Sequence, residues 1–197
     1  MKNIINDDIK YIAQKFKNNH YQIYLVGGCV RDALLNITPH DYDLTTDATP
    51  EIICQLFSDN KIKKEGIKEG SVTVIINNSE YEITTFRLED NYSDHRHPDN
   101  ITFTDKLEDD LKRRDFTINA IAYSFDNKLI DIYNGINDLK NGLIKTVGDS
   151  DLRFNEDALR ILRALRFSSQ LDFSIENNTK KSIFKYKYMT IMSEEGQ

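Results

Sequence analysis

Apolar residues recur with helical spacing in some segments of the chain and with strand spacing in others. From about Asn3 to Asn18 they fall three or four residues apart, which predicts an amphipathic helix. "QIYLVGG" predicts a short buried strand that runs into a glycine turn, and "CVRDALLN" predicts a helix directly after it. "ATPEIICQLF" predicts a further helix, with Thr49 as its N-cap and Pro50 in its first turn.

In the middle of the chain, apolar residues recur at every second position. "SVTVIINNSEYEITTFR" predicts two strands joined at the turn "NNSE". The polar segment from Leu88 to Asn100 contains Pro98 and has no clear period, so it predicts a long mobile loop of the kind that often carries function. "KLEDDLKRRDFTINAIAYSF" predicts a helix, and "KLIDIYNGINDLKNGLIKTVG" predicts a strand, a short helix and a strand.

"NEDALRILRALRFSSQLDF" has the clearest helical pattern, and Asn155 is its predicted cap. Its predicted core stripe is Ala158, Ile161, Leu162 and Leu165. Together the elements predict an α/β or α+β fold, with a small mixed sheet, helices packed behind it and acidic residues on one sheet face. We predict one domain over residues 1–148 and the start of a second, helical domain, called the neck below, over residues 149–197.

Composition narrows the class of protein. The 197 residues are 39% hydrophobic and 29% charged, with a mean hydropathy of -0.56, which is typical of a soluble protein. No apolar run approaches the roughly 18 residues of a membrane span, and the first residues lack a secretory apolar stretch, so we expect a cytoplasmic protein without membrane contact. Cys29 and Cys54 match neither a zinc site nor a disulfide framework. The net charge of -6 argues against a surface rich in phosphate-binding cations.

The segment "YLVGGCVRDALLNITPHDYDL" carries the candidate chemistry. Asp41 and Asp43 are two residues apart, so on a strand their carboxylates point to the same side and repel each other unless a cation lies between them. Mg²⁺ takes oxygen ligands and leaves room for phosphates. Gly27 and Gly28 would let backbone amides approach a phosphate at a helix N-terminus. The combination predicts nucleotidyl transfer, with a metal pair that activates a hydroxyl and neutralises the departing pyrophosphate.

Four blocks of sequence carry a family resemblance: "LVGGCVRDALLNITPHDYDLTTDATPE", "TTFRLEDNYSDHRHPDNITF", "DLKRRDFTINAIAY" and "RFNEDALRILRALRF". In order and content they closely resemble the class II tRNA nucleotidyltransferase and bacterial poly(A) polymerase family, a branch of the polymerase-beta-like nucleotidyltransferases. The resemblance covers most of residues 20–175. It implies a Mg²⁺-dependent enzyme that transfers CMP and AMP from CTP and ATP to the 3′ end of tRNA without a template, with release of pyrophosphate, by a two-metal mechanism.

The resemblance also implies roles for individual residues. The implied catalytic carboxylates are Asp41 and Asp43, both metal ligands, and Glu82. The implied triphosphate contacts are Gly27, Gly28 and Arg31, with Asp32 bracing the turn. The residues implied to lie against the sugar and phosphates of the nucleotide are Arg113, Arg114, Asp115 and Asn119. The flexible loop of the family is matched by the segment that contains Asp94 and Arg96.

The block "EDALR" bears on the choice of base. On a helix, Asp157 and Arg160 would be i and i+3 neighbours with adjacent side chains. A carboxylate accepts a hydrogen bond from an exocyclic amine, and a guanidinium donates to a ring nitrogen or carbonyl. Cytosine and adenine both offer an amino group beside a ring acceptor, whereas uracil and guanine offer the opposite pattern. The pair therefore predicts selection of C and A, and its alternative is an exposed ion pair.

The family resemblance leaves several functions open. Poly(A) polymerases of the family tend to carry "DPxRxLRA" where this chain has "NEDALRILRA", and the complete loop is typical of enzymes that add A, so CCA addition is favoured. The alternatives are an A-only-adding enzyme, a poly(A) polymerase or a catalytically silent nucleotide-binding fragment. An antibiotic nucleotidyltransferase would have no reason to carry "RRDFTINA" and "EDALR". Family members continue into neck, body and tail domains that grip tRNA, so we expect this chain to bind nucleotides but to hold tRNA weakly.

Overall fold

The computed structural model of the protein describes residues 4–188 and divides into two compact units. The first unit comprises the chain up to Leu88 together with Thr102–Leu111 and Ile121–Ile130. The second comprises Glu89–Ile101, Lys112–Ala120 and the chain from Asp131 onwards. Within the described residues, no helix has both the length and the apolar character needed to cross a membrane. The predicted boundary after residue 148 stays a prediction, and residues 189–197 of the predicted neck lie outside the described part.

The first unit is built on a seven-stranded mixed sheet, which confirms the predicted fold class. Its strands are β1 (Ile23–Val26), β2 (Asp43–Thr46), β3 (Lys61–Lys63), β4 (Ser71–Ile76), β5 (Ser79–Thr85), β8 (Ala122–Ser124) and β9 (Leu129–Ile130). They lie in the order β3-β4-β5-β2-β1-β8-β9. Neighbours run antiparallel except β2 and β5, which are parallel. The parallel pair lies in the middle of the sheet, where the candidate acids are found.

Four helices accompany this sheet in the sequence: α1 (Asp7–Asn18), α2 (Gly28–Leu34), α3 (Pro50–Leu56) and α4 (Leu107–Lys112). The Asn6 side chain caps α1 by accepting a hydrogen bond of 2.8 Å from the amide of Ile9. Thr49 is the N-cap residue of α3 and Pro50 follows it, as predicted. The helical periods of the sequence therefore locate the first three helices correctly, although α1 begins at Asp7 rather than near residue 3.

The hairpin of β4 and β5 confirms the prediction from period-two alternation. Val72, Val74 and Ile76 are buried, and the residues between them are half-buried. The turn residues Asn77 and Asn78 have φ angles of 49° and 65°, in the left-handed region that asparagine tolerates better than most residues. Turn chemistry and strand pattern therefore agree at this point of the sequence.

The second unit contains four helices and a small parallel sheet: α5 (Gly135–Lys140), α6 (Ser150–Glu156), α7 (Leu159–Leu171), α8 (Asn177–Tyr186), β10 (Leu143–Ile144) and β11 (Ser174–Ile175). Phe116 and Phe167 meet edge to face in its core, with ring centroids 5.9 Å apart. Ile144 and Phe154 of the same unit are also fully buried. The strand, helix, strand order predicted for residues 128–148 is confirmed by β9, α5 and β10.

The loop predicted from Leu88 to Asn100 is shorter than expected. Strands β6 (Arg87–Asp90) and β7 (Asn100–Phe103) pair with each other and take up both of its ends. Residues 91–99 remain as the irregular connection. The alternation in "TTFRLED" continues past the predicted strand end, because a polar strand can pair without a buried face.

The helix predicted over "KLEDDLKRRDFTINAIAYSF" is wrong beyond its first third. Only α4 is helical, and it is followed by a 3-10 turn at Thr117–Asn119 and by strand β8. Ala122 and Tyr123 are buried in the sheet, where they pair with β1. Aromatic and β-branched residues in this segment fit a pleated sheet better than a helix, and pairing with β1 decided between the two.

The long helix predicted over "NEDALRILRALRF" is interrupted. Asn155 lies inside α6 rather than at a cap, and Asp157 has an extended backbone (φ -140°, ψ 104°) between α6 and α7. The predicted core stripe is also partly wrong, because Leu162 and Leu165 are 43% and 50% exposed. The break rotates α7, so its buried face consists of Arg160, Ile161, Ala164 and Phe167.

Candidate active site

The turn between β1 and α2 requires glycine at its first position. Gly27 has φ 77° and ψ -138°, a backbone conformation that side-chain-bearing residues rarely adopt. It is the N-cap residue of α2, and Gly28 begins the helix. A Cβ atom built on Gly28 would lie 3.6 Å from Nη2 of Arg31, an ordinary contact, so crowding alone does not demand glycine there. Gly27 lies between the strand and the helix as predicted, whereas Gly28 is already the first residue of the helix.

The two aspartates do not share a strand as predicted. β2 begins at Asp43, and Asp41 lies in the bend before it. Strand register places Asp43 directly between Val26 of β1 and Glu82 of β5. Because β2 and β5 are parallel, the exposed side chains of Asp43 and Glu82 stand next to each other on one sheet face. The structure therefore brings Asp43 and Glu82 together, next to the end of β1 that runs into the glycine turn.

Oxygen donors at this position suit a hard cation. Within residues 4–188, no three of the His, Cys, Asp and Glu side chains are grouped closely enough to hold a metal ion. The register pair of Asp43 and Glu82 nevertheless supplies two exposed carboxylates. Mg²⁺ is usually held by one or two carboxylates together with the phosphates of a substrate. The donor set therefore fits Mg²⁺ that arrives with a nucleotide better than a metal held by protein alone.

Two buried side chains fix the start of α2. Burial raises the pKa of the Cys29 thiol to about 12, so this cysteine is inert as a nucleophile. Its Sγ lies 3.3 Å from the carbonyl oxygen of Val26 and 3.8 Å from that of Asp43. Arg31 is 9% exposed and donates from Nε to Oδ1 of Asp32 at 2.8 Å. Asp32 thus braces the arginine predicted to meet the triphosphate.

The block "RRDFTINA" lies in the second unit and forms a connected polar group. Asp115 and Asn119 are 7% and 6% exposed, and Nδ2 of Asn119 donates to Oδ1 of Asp115 at 3.2 Å. Arg113 donates from Nη1 to Oε1 of Glu89 at 3.1 Å. Arg114 is half-buried. The structure therefore brings Asp115 and Asn119 together, as their shared predicted role requires.

Arg160 is anchored by several partners rather than exposed on a helix face. Its side chain is 8% exposed, and Nη1 donates to Oε2 of Glu156 at 2.8 Å and to the carbonyl oxygen of Arg153 at 3.2 Å. Its Nη2 donates to the carbonyl oxygen of Arg113 at 3.1 Å. Glu156 also accepts from Nη2 of Arg153 at 2.7 Å. This network contradicts the alternative of an exposed ion pair.

Asp157 faces Arg160 without a hydrogen bond. Oδ2 of Asp157 and Nε of Arg160 are 3.9 Å apart, too far for direct hydrogen bonding. Oδ1 of Asp157 accepts from the amide of Leu159, the first residue of α7, at 2.9 Å. Burial raises the pKa of the Asp157 carboxyl above its ordinary value. An acceptor and a donor therefore lie side by side at the helix junction, which is the arrangement that a base edge with an amine and a ring acceptor requires.

The predicted loop residues lie on a well-bonded turn. Asp94 accepts hydrogen bonds from the amides of Arg96 and His97, at 2.9 and 2.7 Å. These bonds, led by the one from the His97 amide, lower the pKa of the Asp94 carboxyl to about 2. His95 reaches the α6–α7 junction, where its carbonyl oxygen accepts from the amide of Ala158 at 3.1 Å and its Nδ1 lies 2.6 Å from the carbonyl oxygen of Asn155.

Sequence reasoning missed the residues that bond to Arg113, Asp115 and Arg160. These residues are Glu89, Arg153, Glu156 and Arg163. Arg153 and Glu156 are three apart, and Glu156 and Arg160 four apart, which are the spacings of helical ion pairs. That spacing was a usable signal. No local signal links Glu89 to Arg113 or Arg163 to Asp115, because these pairs are far apart in the sequence.

The comparisons with known proteins agree with this architecture. Residues 23–145 match the family model of the Poly A polymerase head domain. The chain therefore belongs to this family, which confirms the resemblance drawn from the four blocks.

Individual relatives are similar over most of the chain. A CCA-adding enzyme of Lactobacillus helveticus (strain DPC 4571) is 49% identical over 172 residues, which is 87% of this chain and 43% of that protein. A CCA-adding enzyme of Lactobacillus johnsonii (strain CNCM I-12250 / La1 / NCC 533) is 52% identical over 172 residues, which is again 87% of this chain and 43% of that protein. The chain thus spans less than half the length of the curated relatives that it matches.

Solved structures show the same fold. The Bacillus stearothermophilus CCA-adding enzyme in complex with CTP is similar over 96% of this chain and 48% of its own, with a TM-score of 0.83 and 37% identity. A tRNA nucleotidyltransferase complexed with a primer tRNA and an incoming ATP analog is similar over 91% of this chain and 51% of its own, with a TM-score of 0.72 and 29% identity.

Proposed function

We propose that this chain carries the nucleotide-binding and catalytic residues of a CCA-adding tRNA nucleotidyltransferase. The reaction is template-independent transfer from CTP and ATP to the 3′ end of tRNA, with release of pyrophosphate. The observation that carries the proposal is the register of Asp43 beside Glu82 next to the glycine turn. The names of the similar proteins, which are CCA-adding enzymes, support this choice of reaction. A cytoplasmic location, predicted from the sequence, belongs to the same proposal.

The metal-ligand role is assigned to Asp41 and Asp43, and Glu82, which the strand register places beside Asp43, is assigned as the third catalytic carboxylate. Bound Mg²⁺ supplies neutralisation of phosphate charge and activation of a hydroxyl. The chain itself supplies the oxygen ligands, and the backbone of Gly27 and Gly28 allows close approach of a triphosphate with Arg31 nearby in the sequence. Positioning of the reactants accounts for much of the rate gain in such a reaction.

The choice of base is assigned to Asp157 and Arg160. Oδ2 of Asp157 accepts from the exocyclic amine of cytosine or adenine, and Nε of Arg160 donates to the neighbouring ring nitrogen. The 3.9 Å separation of these two atoms leaves both in a position to bond to a base. The same pair would also serve an enzyme that uses ATP only, so an A-only-adding enzyme or a poly(A) polymerase is the alternative.

The metal assignment is tested by calorimetric titration of CTP with and without Mg²⁺. Glu82→Gln should weaken the Mg²⁺-dependent binding by at least about tenfold, since even outer-shell partners of a metal are worth that much. Glu80→Gln is the matched control, because Glu80 is an exposed residue two positions away on the same strand and pairs with Lys63. Equal Mg²⁺ responses of the two variants would refute the assignment.

The base assignment is tested by titrating all four nucleoside triphosphates in the presence of Mg²⁺. The protein should prefer CTP and ATP to UTP and GTP, and Asp157→Ala should remove this preference. Equal binding of all four by the unaltered protein would contradict the proposed role.

Catalysis is tested with a tRNA that lacks its 3′-terminal nucleotides. Incorporation of labelled CMP and AMP should be lost in Asp41→Ala and Asp43→Ala. Nucleotide binding without any incorporation by the unaltered chain would favour the silent nucleotide-binding fragment instead.

A further inference from the structure

The carboxylate of Asp115 is held by four donors. Oδ1 accepts from the amide of Phe116 at 2.7 Å and from Nδ2 of Asn119 at 3.2 Å. Oδ2 accepts from Nε of Arg163 at 2.8 Å, and Nη2 of Arg163 lies 2.7 Å from the same oxygen. A carboxylate has about four lone-pair positions, so this one is fully used. Its orientation is therefore fixed within the second unit before any ligand binds.

Arg163 supplies half of these contacts from a different part of the sequence. It lies on α7, 48 residues after Asp115, and its side chain is 45% exposed whereas that of Asp115 is 8% exposed. Its guanidinium also packs over the ring of Phe167, 5.5 Å from the centroid. The cation is thus held by an aromatic ring on one side and directs two N–H groups at a single oxygen.

The two oxygens of Asp115 differ in how firmly they are bound. Both contacts to Oδ2 come from a guanidinium cation and are 2.8 Å or shorter, whereas one of the two donors to Oδ1 is the neutral amide of Asn119. On Oδ1 the contact from Asn119 is the longest of the four. A hydroxyl group can therefore displace the Asn119 amide from Oδ1, provided that Arg163 keeps Oδ2 in place.

We propose that Arg163 is a positioning residue, which holds Asp115 so that Oδ1 receives a hydroxyl of the nucleotide sugar. This inference rests on the proposed function and on the place against the nucleotide sugar that the family resemblance implies for Asp115. Arg163 acts through Asp115 and thereby contributes to the preference for ribonucleotides over deoxyribonucleotides.

The test compares the dissociation constants of CTP and dCTP, measured by calorimetry with Mg²⁺, in the unaltered protein and in four variants. Arg163→Gln removes the charged pair, and Arg163→Lys keeps the charge with one donor. Arg166→Gln is the matched control, because Arg166 packs over the same Phe167 ring at 5.0 Å from the same helix. Asp115→Ala defines the result of losing the carboxylate itself. Thermal unfolding of each variant is measured alongside.

The expected result is a preference for CTP of about tenfold or more in the unaltered protein, the range for hydrogen bonds to a charged group. Arg163→Gln should lose most of this preference, so that its ratio of the dCTP to the CTP dissociation constant is close to that of Asp115→Ala. Arg163→Lys should recover part of the ratio, and Arg166→Gln all of it. A merely structural ion pair would lower the melting temperature without changing the ratio.

The two failures are distinguishable. If Asp115→Ala abolishes the preference while Arg163→Gln and Arg163→Lys retain it as fully as Arg166→Gln does, this inference is overturned and the proposed role of Asp115 survives. If the unaltered protein binds CTP and dCTP equally, the sugar assignment of Asp115 is overturned first, and the inference falls with it. If Arg163→Gln fails to fold, Arg163→Lys decides, and an unchanged ratio in that folded variant counts against the inference.

Discussion

Asp157 combines a predicted binding role with an unfavourable environment. Burial raises the pKa of its carboxyl, and Arg160, the second influence on that pKa, only partly offsets the effect. The separation of 3.9 Å from Nε of Arg160 explains why the offset is incomplete. Displaced pKa values of this kind are common at functional sites, where residues are arranged for a ligand rather than for stability. We therefore expect the Asp157 carboxylate to lower the stability of the fold and to contribute to ligand binding.

Replacing Asp157 by Asn should stabilise the protein near neutral pH. Because the folded-state pKa lies above the unfolded value, the native protein binds more protons in the window just above pH 3.8, and stability falls as pH rises through it. The neutral variant lacks this loss, while its Oδ1 still accepts from the amide of Leu159. Urea unfolding should give a higher free energy of unfolding for Asp157→Asn than for the unaltered protein at pH 7, and the difference should shrink as the pH falls towards 3.8.

A variant that is less stable than the unaltered protein at pH 7, by more than the scatter of the measurement, would contradict this prediction. Asp151→Asn is a suitable control, because ion pairing with Lys185 lowers the pKa of that exposed carboxyl and predicts the opposite sign.

Among the elements, the break between α6 and α7 sets the relative position of Asp157 and Arg160, the pair proposed to select the base. The extended backbone of Asp157 turns its side chain away from an i, i+3 helical arrangement with Arg160. The freed amide of Ala158 is satisfied by the carbonyl oxygen of His95, so the loop residue acts as a cap for the junction. Arg160 begins the buried face of α7 and bonds to Glu156, Arg153 and Arg113. The junction is therefore specified by contacts from three separate segments.

Arg160 should be a structural residue as well as a binding residue. Arg160→Met should lower the free energy of unfolding by about 3 kcal/mol, because removal of one partner leaves a buried charge poorly compensated. Arg166→Met, on the exposed side of the same helix, should change it by no more than about 0.5 kcal/mol. Chemical denaturation of both variants is the measurement. Equal effects of the two substitutions would mean that the Arg160 network contributes nothing to stability.

For the whole molecule, net charge limits the expected affinity for tRNA. The chain has a charge of -6, and nucleic-acid affinity depends mainly on cations that release counterions from phosphates. A gel-shift assay at physiological salt should give a dissociation constant for tRNA no tighter than about 1 µM, the limit of ordinary non-specific binding. An unrelated RNA of the same length, as control, should bind about equally. Nanomolar and tRNA-specific binding would contradict the prediction.

The sequence by itself determined the elements whose evidence is local. Hydrophobic period located α1, β1 and the β4–β5 hairpin, and the asparagine turn matched its left-handed φ angles. The family, and with it the candidate residues, followed from motif order in four blocks. These features depend on neighbours within a few residues, so a linear pattern is enough to reveal them.

Tertiary structure decided whatever depends on residues that are distant in the chain. Pairing with β1 makes the segment around Tyr123 a strand, where the sequence analysis predicted a helix. Parallel register placed Glu82 beside Asp43, and Asp41 fell outside the strand that was expected to hold both. Contacts over 48 residues joined Arg163 to Asp115. Such pairings are selected by the free energy of packing and hydrogen bonding across the fold, for which no local spacing provides a signal.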